Sequence, residues 1–275
     1  MKKGFLLGVL LLGAGAVSAQ GLYASFQAGY GMATSTDVLG TTTVVTVTGD
    51  QTETNIYGTL GAGTAFGLNL GYNFSEHFGA ELGVNYFLGS SVSVTEVTVP
   101  TGEVSANAQS SQVRLTPMLV VTTGGDFAVY GKGGLVLPVS GATTLDVTNT
   151  TNPLIGTVEQ SFETKGSISL GFQGAAGVNY KLSDNLSLFG ELSAVNLRIK
   201  AATRSMTKNS VGGTDVLESM DTYDKETTYV DELGSSSNNS AYNLTTVDEN
   251  SAMEDLATKT NFSALFINIG VTYSL

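Results

Sequence analysis

Hydrophobicity that alternates with a period of two residues constrains the fold of this sequence more than any other feature. Past the first twenty residues, apolar side chains recur at every second position, with Gly, Ser, Thr and Asn between them. Such alternation is typical of β-strands with one apolar face, and no stretch keeps a helical period of 3.6. The alternating runs are 22–30, 66–74, 78–88, 112–121, 129–140, 168–178, 186–194 and 265–275. The sequence therefore predicts an all-β protein.

The connections between these runs alternate strictly in length. The short connections are turns at 75–77, 122–126 and 183–185. The long connections span 31–63, 89–110, 141–166 and 200–260. Antiparallel strands of about ten residues, even in number and joined in this way, are what an outer-membrane barrel requires. The predicted fold is an eight-stranded antiparallel transmembrane β-barrel with short periplasmic turns and long extracellular loops.

The alternation leaves open which face is inside, and a soluble barrel around an apolar ligand is the alternative. The polar face is dominated by Gly, Ser and Asn, with few of the long charged side chains that solubilise an exterior. Aromatic residues recur near strand ends on the apolar face, as in membrane-interface girdles. They are Tyr30, Phe66, Phe74, Phe78, Tyr86 and Tyr273. These features favour an apolar face that points outward into lipid.

The first residues read as an export signal. Lys2 and Lys3 precede an apolar stretch at 5–12, and small residues at 17–19 suit signal peptidase. We expect a signal peptide at 1–19 and a mature barrel at 20–275, located in the cell outer membrane. Because the chain has no Cys, a lipid-anchored lipoprotein is excluded.

Composition excludes several function classes. Twelve basic residues against 24 acidic ones give a net charge of −12, which argues against nucleic acid as a partner. Without Cys and with His77 as the single His, the chain cannot assemble an ordinary zinc site, and no cofactor is predicted. Barrel hydrolases generally use His as a base, and His77 falls in a periplasmic turn. We therefore expect no enzyme.

The pattern resembles the small eight-stranded outer-membrane barrels, which include the membrane domain of outer membrane protein A, outer membrane protein X and the opacity-type surface proteins. The last run is similar to the C-terminal assembly signal of that family through Val271 and Tyr273, although Leu275 replaces the usual final aromatic residue. The resemblance implies a monomer whose partners are outer-membrane lipid and the barrel assembly machinery.

Four charged residues lie on the polar faces of the predicted strands: Glu81, Arg114, Lys132 and Glu191. Since a mid-membrane Arg or Lys on the lipid side costs roughly 2–4 kcal/mol, we place them in the lumen. Lys132 and Glu191 fall at one level, whereas Glu81 and Arg114 differ in depth by roughly 13 Å. An acid on strand three and a base on strand four are similar to the lumen cluster of outer membrane protein A. Two interpretations of these charged residues remain: a gate, and an ion network that only stabilises the barrel.

The polar face also carries glycines along its length. They are Gly67, Gly71, Gly79, Gly83, Gly134, Gly177 and Gly270. Because glycine leaves space, part of an interior that side chains would otherwise fill is predicted to hold water. A narrow pore is compatible with this pattern, and a wide diffusion pore is not.

Three loops contain strand-like segments, at 43–55, 91–99 and 145–147, so the wall is expected to rise above the membrane. The fourth loop carries 11 acidic and 3 basic side chains between 201 and 258. It is predicted to include a flexible stretch at 234–240 and a short helix at 252–258. Two interpretations of this loop remain: an adhesin-like or cation-binding surface, and a loop that is merely solvated.

The predicted function is a non-enzymatic surface-interaction barrel that presents its loops to an extracellular protein or surface ligand. The alternative is a small, low-conductance channel for ions or small solutes.

Overall fold

The computed structural model describes residues 21–34, 37–243 and 246–275. The predicted signal peptide at 1–19 lies outside the described residues. In chain order the strands are β1 (Leu22–Ala33), β2 (Val38–Val45), β3 (Gln51–Tyr57), β4 (Gly63–Asn73), β5 (Phe78–Gly89), β6 (Val92–Val99), β7 (Gly102–Thr122), β8 (Phe127–Asn149), β9 (Val158–Gly166), β10 (Gly171–Lys181), β11 (Leu186–Asn196), β12 (Arg198–Val211), β13 (Thr214–Asp215), β14 (Glu226–Val230), β15 (Met253–Leu256), β16 (Lys259–Asn261) and β17 (Ala264–Ser274).

Eight of these strands close into a barrel by antiparallel pairing. The ring runs β1–β4–β5–β7–β8–β10–β11–β17 and returns to β1. The short turns lie together at one end, here called the turn end, and the long connections lie at the other, the loop end. This arrangement confirms the predicted eight-stranded fold. The sixth barrel strand begins at Gly171, later than predicted, and leaves Ile168 outside it.

The two faces of the barrel are opposite in character. Large apolar side chains cover the outside, where Leu68 and Ile269 are among the most exposed. Side chains at the alternate positions are buried inside, and many of these are polar. The buried polar residues of the barrel strands include Ser25, Asn69, Thr116, Ser193 and Asn268. The predicted orientation, with the apolar face outward, is confirmed.

An extended wall continues the barrel at the loop end. β7 and β8 are 21 and 23 residues long, about twice the length of most other barrel strands. β2, β3 and β6 extend this sheet on one side of β7, where β2 and β6 pair in parallel. β9, β12, β14 and β15 extend it beyond β8. The strand-like loop segments found in the sequence are parts of this wall.

The fourth long connection contains two short helices, η1 (Leu217–Ser219) and α1 (Thr222–Lys225). The predicted helix at 252–258 is wrong, because Met253–Leu256 forms β15 and pairs in parallel with β14. The Glu254 carboxylate accepts a hydrogen bond from the backbone amide of Asn238 at 3.0 Å. In the described part of the chain, no helix has the length and apolar character to cross a membrane.

Candidate functional site

Three of the four charged residues predicted for the lumen meet at one level. Lys132 on β8 lies between Glu81 on β5 and Glu191 on β11, with N–O distances of 3.1 Å and 3.3 Å. All three side chains are less than a tenth exposed. We call Glu81, Lys132 and Glu191 the lumen ion cluster. Since one cation faces two carboxylates, the cluster has a formal charge of −1.

Neutral donors complete the coordination of the two carboxylates. The Tyr23 hydroxyl donates to Glu81 at 3.1 Å, and the Tyr130 hydroxyl donates to Glu191 at 3.1 Å. The Asn268 amide also donates to Glu191, at 3.2 Å. A buried charge is stable only when such partners satisfy it. The sequence alone did not single out these three residues, although the period of two places each of them on an inward face.

Arg114 lies apart from the lumen ion cluster, so the structure does not bring Glu81 and Arg114 together. Glu81 is opposite Met118 in the β5–β7 register, and Arg114 lies four residues nearer the loop end. Its Nε donates to the Gln112 side chain at 2.9 Å, and its guanidinium carbon lies 4.1 Å from the centre of the Phe87 ring. The side chain is buried, and its Nη2 has no partner among the described residues.

Aromatic rings occupy the space beside three of the seven lumen glycines. A Cβ atom added to Gly71 would lie 2.0 Å from Cζ of Tyr23, and one added to Gly177 would lie 2.5 Å from Cζ of Tyr130. The ring pairs are Tyr23 over Gly71, Tyr130 over Gly177 and Phe189 over Gly270. These rings fill part of the interior, and water in the rest of it stays a prediction. A cavity of about 140 Å³ remains beside the lumen ion cluster, towards the turn end.

The loop end of the lumen is closed by buried apolar side chains. Phe87, Val136 and Leu197 are 0% exposed, and the Phe87 and Phe266 rings pack edge to face at 6.2 Å. The full set, here called the apolar plug, is Leu60, Phe87, Ala108, Val136, Val195, Leu197, Phe262, Ala264 and Phe266. Barrel strands supply most of it, and the loop segments before β4, β12 and β17 supply Leu60, Leu197 and Phe262. The inward apolar positions of the upper strands were not singled out from the sequence.

The remaining predicted residues lie at the barrel surface. His77 is exposed in the β4–β5 turn, where its Nδ1 is 3.1 Å from the Thr122 carbonyl oxygen. Val271, Tyr273 and Leu275 are partly exposed on the outer face at the turn end. This is the lipid side of the closing strand, and their role as an assembly signal stays a prediction.

The acidic fourth loop is held together by its own polar groups. The Asn238 side chain donates to the carbonyl groups of Asp248, Ser251 and Ala252 at 3.0–3.3 Å. Hydrogen bonds from the Ser251 hydroxyl and the Asn250 amide lower the pKa of Asp248. Asp231 forms an ion pair with Lys200. Among the described residues, no three or more His, Cys, Asp or Glu are grouped to hold a metal ion.

A match to a known family decides the classification of this barrel. Residues 7–216, well over half of the chain, match the outer membrane protein beta-barrel domain. The chain belongs to this family. It is accordingly an outer-membrane protein, and the turn end of this family member faces the periplasm while the loop end faces outward.

Three solved structures resemble this family member. Neisserial surface protein A is 10% identical, covers 94% of this chain and 98% of its own, and has a TM-score of 0.39. The outer membrane protein OprG from Pseudomonas aeruginosa is 16% identical, with coverages of 92% and 95% and a TM-score of 0.44. A major outer membrane protein from Thermus thermophilus is 15% identical, with coverages of 92% and 98% and a TM-score of 0.42. None of the curated proteins matches the chain in sequence.

Proposed function

We propose that this outer-membrane barrel is a closed, non-enzymatic platform that presents its extracellular wall to a protein partner. The apolar plug is the observation that carries the proposal. A barrel that conducts ions needs a continuous polar path, and a hydrophobic constriction blocks conduction by excluding water. Phe87, Val136 and Leu197 form such a constriction, with no exposed surface on any of the three.

The lumen ion cluster is a second obstruction below the plug. Lys132 bridges two acidic side chains from opposite parts of the ring, and the Tyr23 and Tyr130 rings fill the adjoining space. Since each charge already has partners within hydrogen-bond distance, the cluster favours a role in stability over a role in gating. Both observations support the closed barrel over the channel that the sequence left as an alternative.

The wall offers a strand edge suited to a protein partner. In the described part of the chain, β3 pairs along one edge only, with β2. Six of its seven residues are exposed, and its sequence, Gln-Thr-Glu-Thr-Asn-Ile-Tyr, is rich in polar residues that limit aggregation at an edge. An extended peptide can add to such an edge through main-chain hydrogen bonds. We therefore assign partner binding to the free edge of β3.

Single-channel recording of the refolded protein in a planar bilayer tests whether the barrel is closed. We expect silence from the wild-type protein and from a variant that lacks residues 202–257, because this deletion leaves Phe87, Val136 and Leu197 in place. Reproducible openings in the wild type would overturn the closed platform and favour the channel. Openings only after the deletion would show that the fourth loop, and not the apolar plug, closes the barrel.

Selection of a phage-displayed heptapeptide library against the refolded protein tests the edge. We expect enriched peptides to lose binding to the double variant Thr52→Lys, Thr54→Lys, because charged residues on an edge strand hinder pairing. The matched control is Thr41→Lys, Thr43→Lys on β2, which adds the same charge to a strand already paired with both β3 and β6. Enriched peptides that bind the edge variant and the control equally well would contradict this assignment.

A further inference from the structure

A separate cavity lies on the extracellular side of the apolar plug. Its volume is about 380 Å³, and its floor includes Leu60 and Phe262 of the plug. Aliphatic side chains from the surrounding wall, among them Leu39, Leu145 and Ile199, contribute to its sides. Ser and Thr side chains, among them Ser110, Thr164 and Thr260, also line it, so the cavity has an apolar floor and a mixed wall. The proposed function makes no use of it.

The barrel wall is split beside this cavity. Val136 pairs with Gly171 below the split and Thr143 pairs with Thr164 above it, in one continuous register. Between these pairs, residues 137–142 of β8 and residues 165–170 form no ladder with each other. We call this opening the wall slit. Both of its edges line the cavity.

The sequence at the wall slit explains why the ladder is interrupted. Pro138 has no amide hydrogen to donate, and Gly141 has a φ of +135°, which L side chains rarely adopt. On the opposite edge, the Ser167 amide donates to the Lys200 carbonyl group at 2.8 Å, which draws this segment towards β12 and away from β8. The barrel strand predicted to begin at Ile168 is shortened for this reason.

The outer side of the wall slit meets the lipid-facing surface. Ile168 is 93% exposed, and Val139, Leu170 and Phe172 are also exposed around it. Large apolar side chains at this position are typical of contact with lipid, whereas backbone groups without partners are costly in hydrocarbon. The wall slit therefore opens at the upper rim of the apolar belt, next to the outer leaflet.

Among the described residues, Arg204 is a cation that lines the cavity and forms no ion pair with an acidic side chain. The Arg204 guanidinium contacts the Thr227 hydroxyl at 3.4 Å and the Phe162 ring at 5.2 Å, and no carboxylate of the described residues forms an ion pair with it. Glu163 and Glu226 are each one residue away from the register partners of Arg204. Their side chains therefore point to the face of the sheet opposite to the Arg204 side chain. Arg204 is therefore available to an anion in the cavity.

We propose that this cavity binds one apolar chain that carries an anionic head. The chain lies over the plug, the head contacts Arg204, and the wall slit connects the site with the outer leaflet. Small-molecule sites generally measure about 300–1,000 Å³, so a volume of about 380 Å³ suits a single chain. Such chemistry is found both in a free fatty acid and in an anionic lipid of the outer leaflet.

The absence of Trp from the sequence makes a direct test available. Leu145→Trp places a single fluorophore in the cavity wall, and Thr258→Trp provides a second reporter if the first variant does not fold. Leu68→Trp on the apolar belt is the matched control. Each protein is refolded into dimyristoylphosphatidylcholine nanodiscs and titrated with 11-bromoundecanoate, whose bromine quenches Trp fluorescence on contact.

We expect saturable quenching of the cavity reporter and only gradual, unsaturated quenching of the belt control. Arg204→Gln should raise the half-saturating concentration of 11-bromoundecanoate at least fivefold, while leaving quenching by the uncharged 11-bromoundecanol unchanged. Quenching of the cavity reporter that follows the belt control, or that does not respond to Arg204→Gln, would overturn the proposal.

A second arm separates the two sources of the chain. In nanodiscs that contain an anionic phosphatidylglycerol with brominated acyl chains, quenching of the cavity reporter before any acid is added identifies the bilayer lipid as the ligand. Saturable quenching by added 11-bromoundecanoate alone identifies a free acid. If neither probe quenches the folded cavity reporters, the site does not exist. Single-channel silence is independent of all these outcomes, so the closed platform and the cavity can fail separately.

Discussion

Substitution of Lys132 by Met removes the only cation of the lumen ion cluster. Glu81 and Glu191 would then remain buried and face each other without a positive charge between them. Removing one partner of a buried ion pair typically costs about 3–5 kcal/mol. The hydroxyl groups of Tyr23 and Tyr130 still donate to the carboxylates. We therefore expect the free energy of unfolding to fall by about 3 kcal/mol, the lower end of that range.

Two further variants separate this effect from a general effect of the substitution. Lys208→Met breaks an ion pair with Glu159 whose side chains are about half exposed, so it should change stability by less than about 1 kcal/mol. The triple variant Glu81→Gln, Lys132→Met, Glu191→Gln leaves no buried charge in the cluster. It should recover most of the lost stability, because replacing a whole buried ionic group is often close to neutral.

Equilibrium urea unfolding in phosphatidylcholine vesicles measures these differences. Since the chain has no Trp, the transition is followed by circular dichroism and by the shift in electrophoretic mobility of the folded barrel. A Lys132→Met barrel as stable as the wild type would refute the reasoning. So would a triple variant no more stable than Lys132→Met, because the loss would then come from packing and not from uncompensated charge.

Three other predictions follow from packing and hydrogen bonding. Gly71→Ala should destabilise the barrel by about 1–3 kcal/mol because its methyl group overlaps the Tyr23 ring. Gly174→Ala should leave stability unchanged because its methyl group meets no atom within 4 Å. Equal urea midpoints for the two variants would contradict this prediction. Asn238→Ala removes an amide group whose two hydrogens are shared among three carbonyl groups and whose oxygen accepts from the Asp248 amide. It should speed amide hydrogen exchange in the fourth loop at least tenfold, and unchanged protection by mass spectrometry would show that other contacts hold the loop. Tyr273→Ala should reduce the amount of barrel assembled in cells while leaving refolding into detergent micelles intact, and normal levels in the outer membrane would remove this residue from the assembly signal.

The lumen residues show what a local sequence pattern can predict and what it cannot. Alternation correctly placed Glu81, Lys132 and Glu191 on inward faces, because successive strand residues point to opposite sides whatever the rest of the chain does. It could not show that Lys132 lies between both acids or that Arg114 lies apart. Those facts depend on the register between strands, and a shift of the register changes which side chains meet across the lumen.

The period of two and the alternating loop lengths determined the strand number, the antiparallel order and the outward apolar face. Each of these follows from short-range geometry and from the solvent on either side of the wall. Only the tertiary structure decided how the interior is filled, because the rings that cover Gly71 and Gly177 come from other strands. The same is true of β15, where parallel pairing with β14 prevailed over a local helix signal. The wall slit likewise arises between residues about 30 positions apart in the chain, whose separation depends on a third strand, β12.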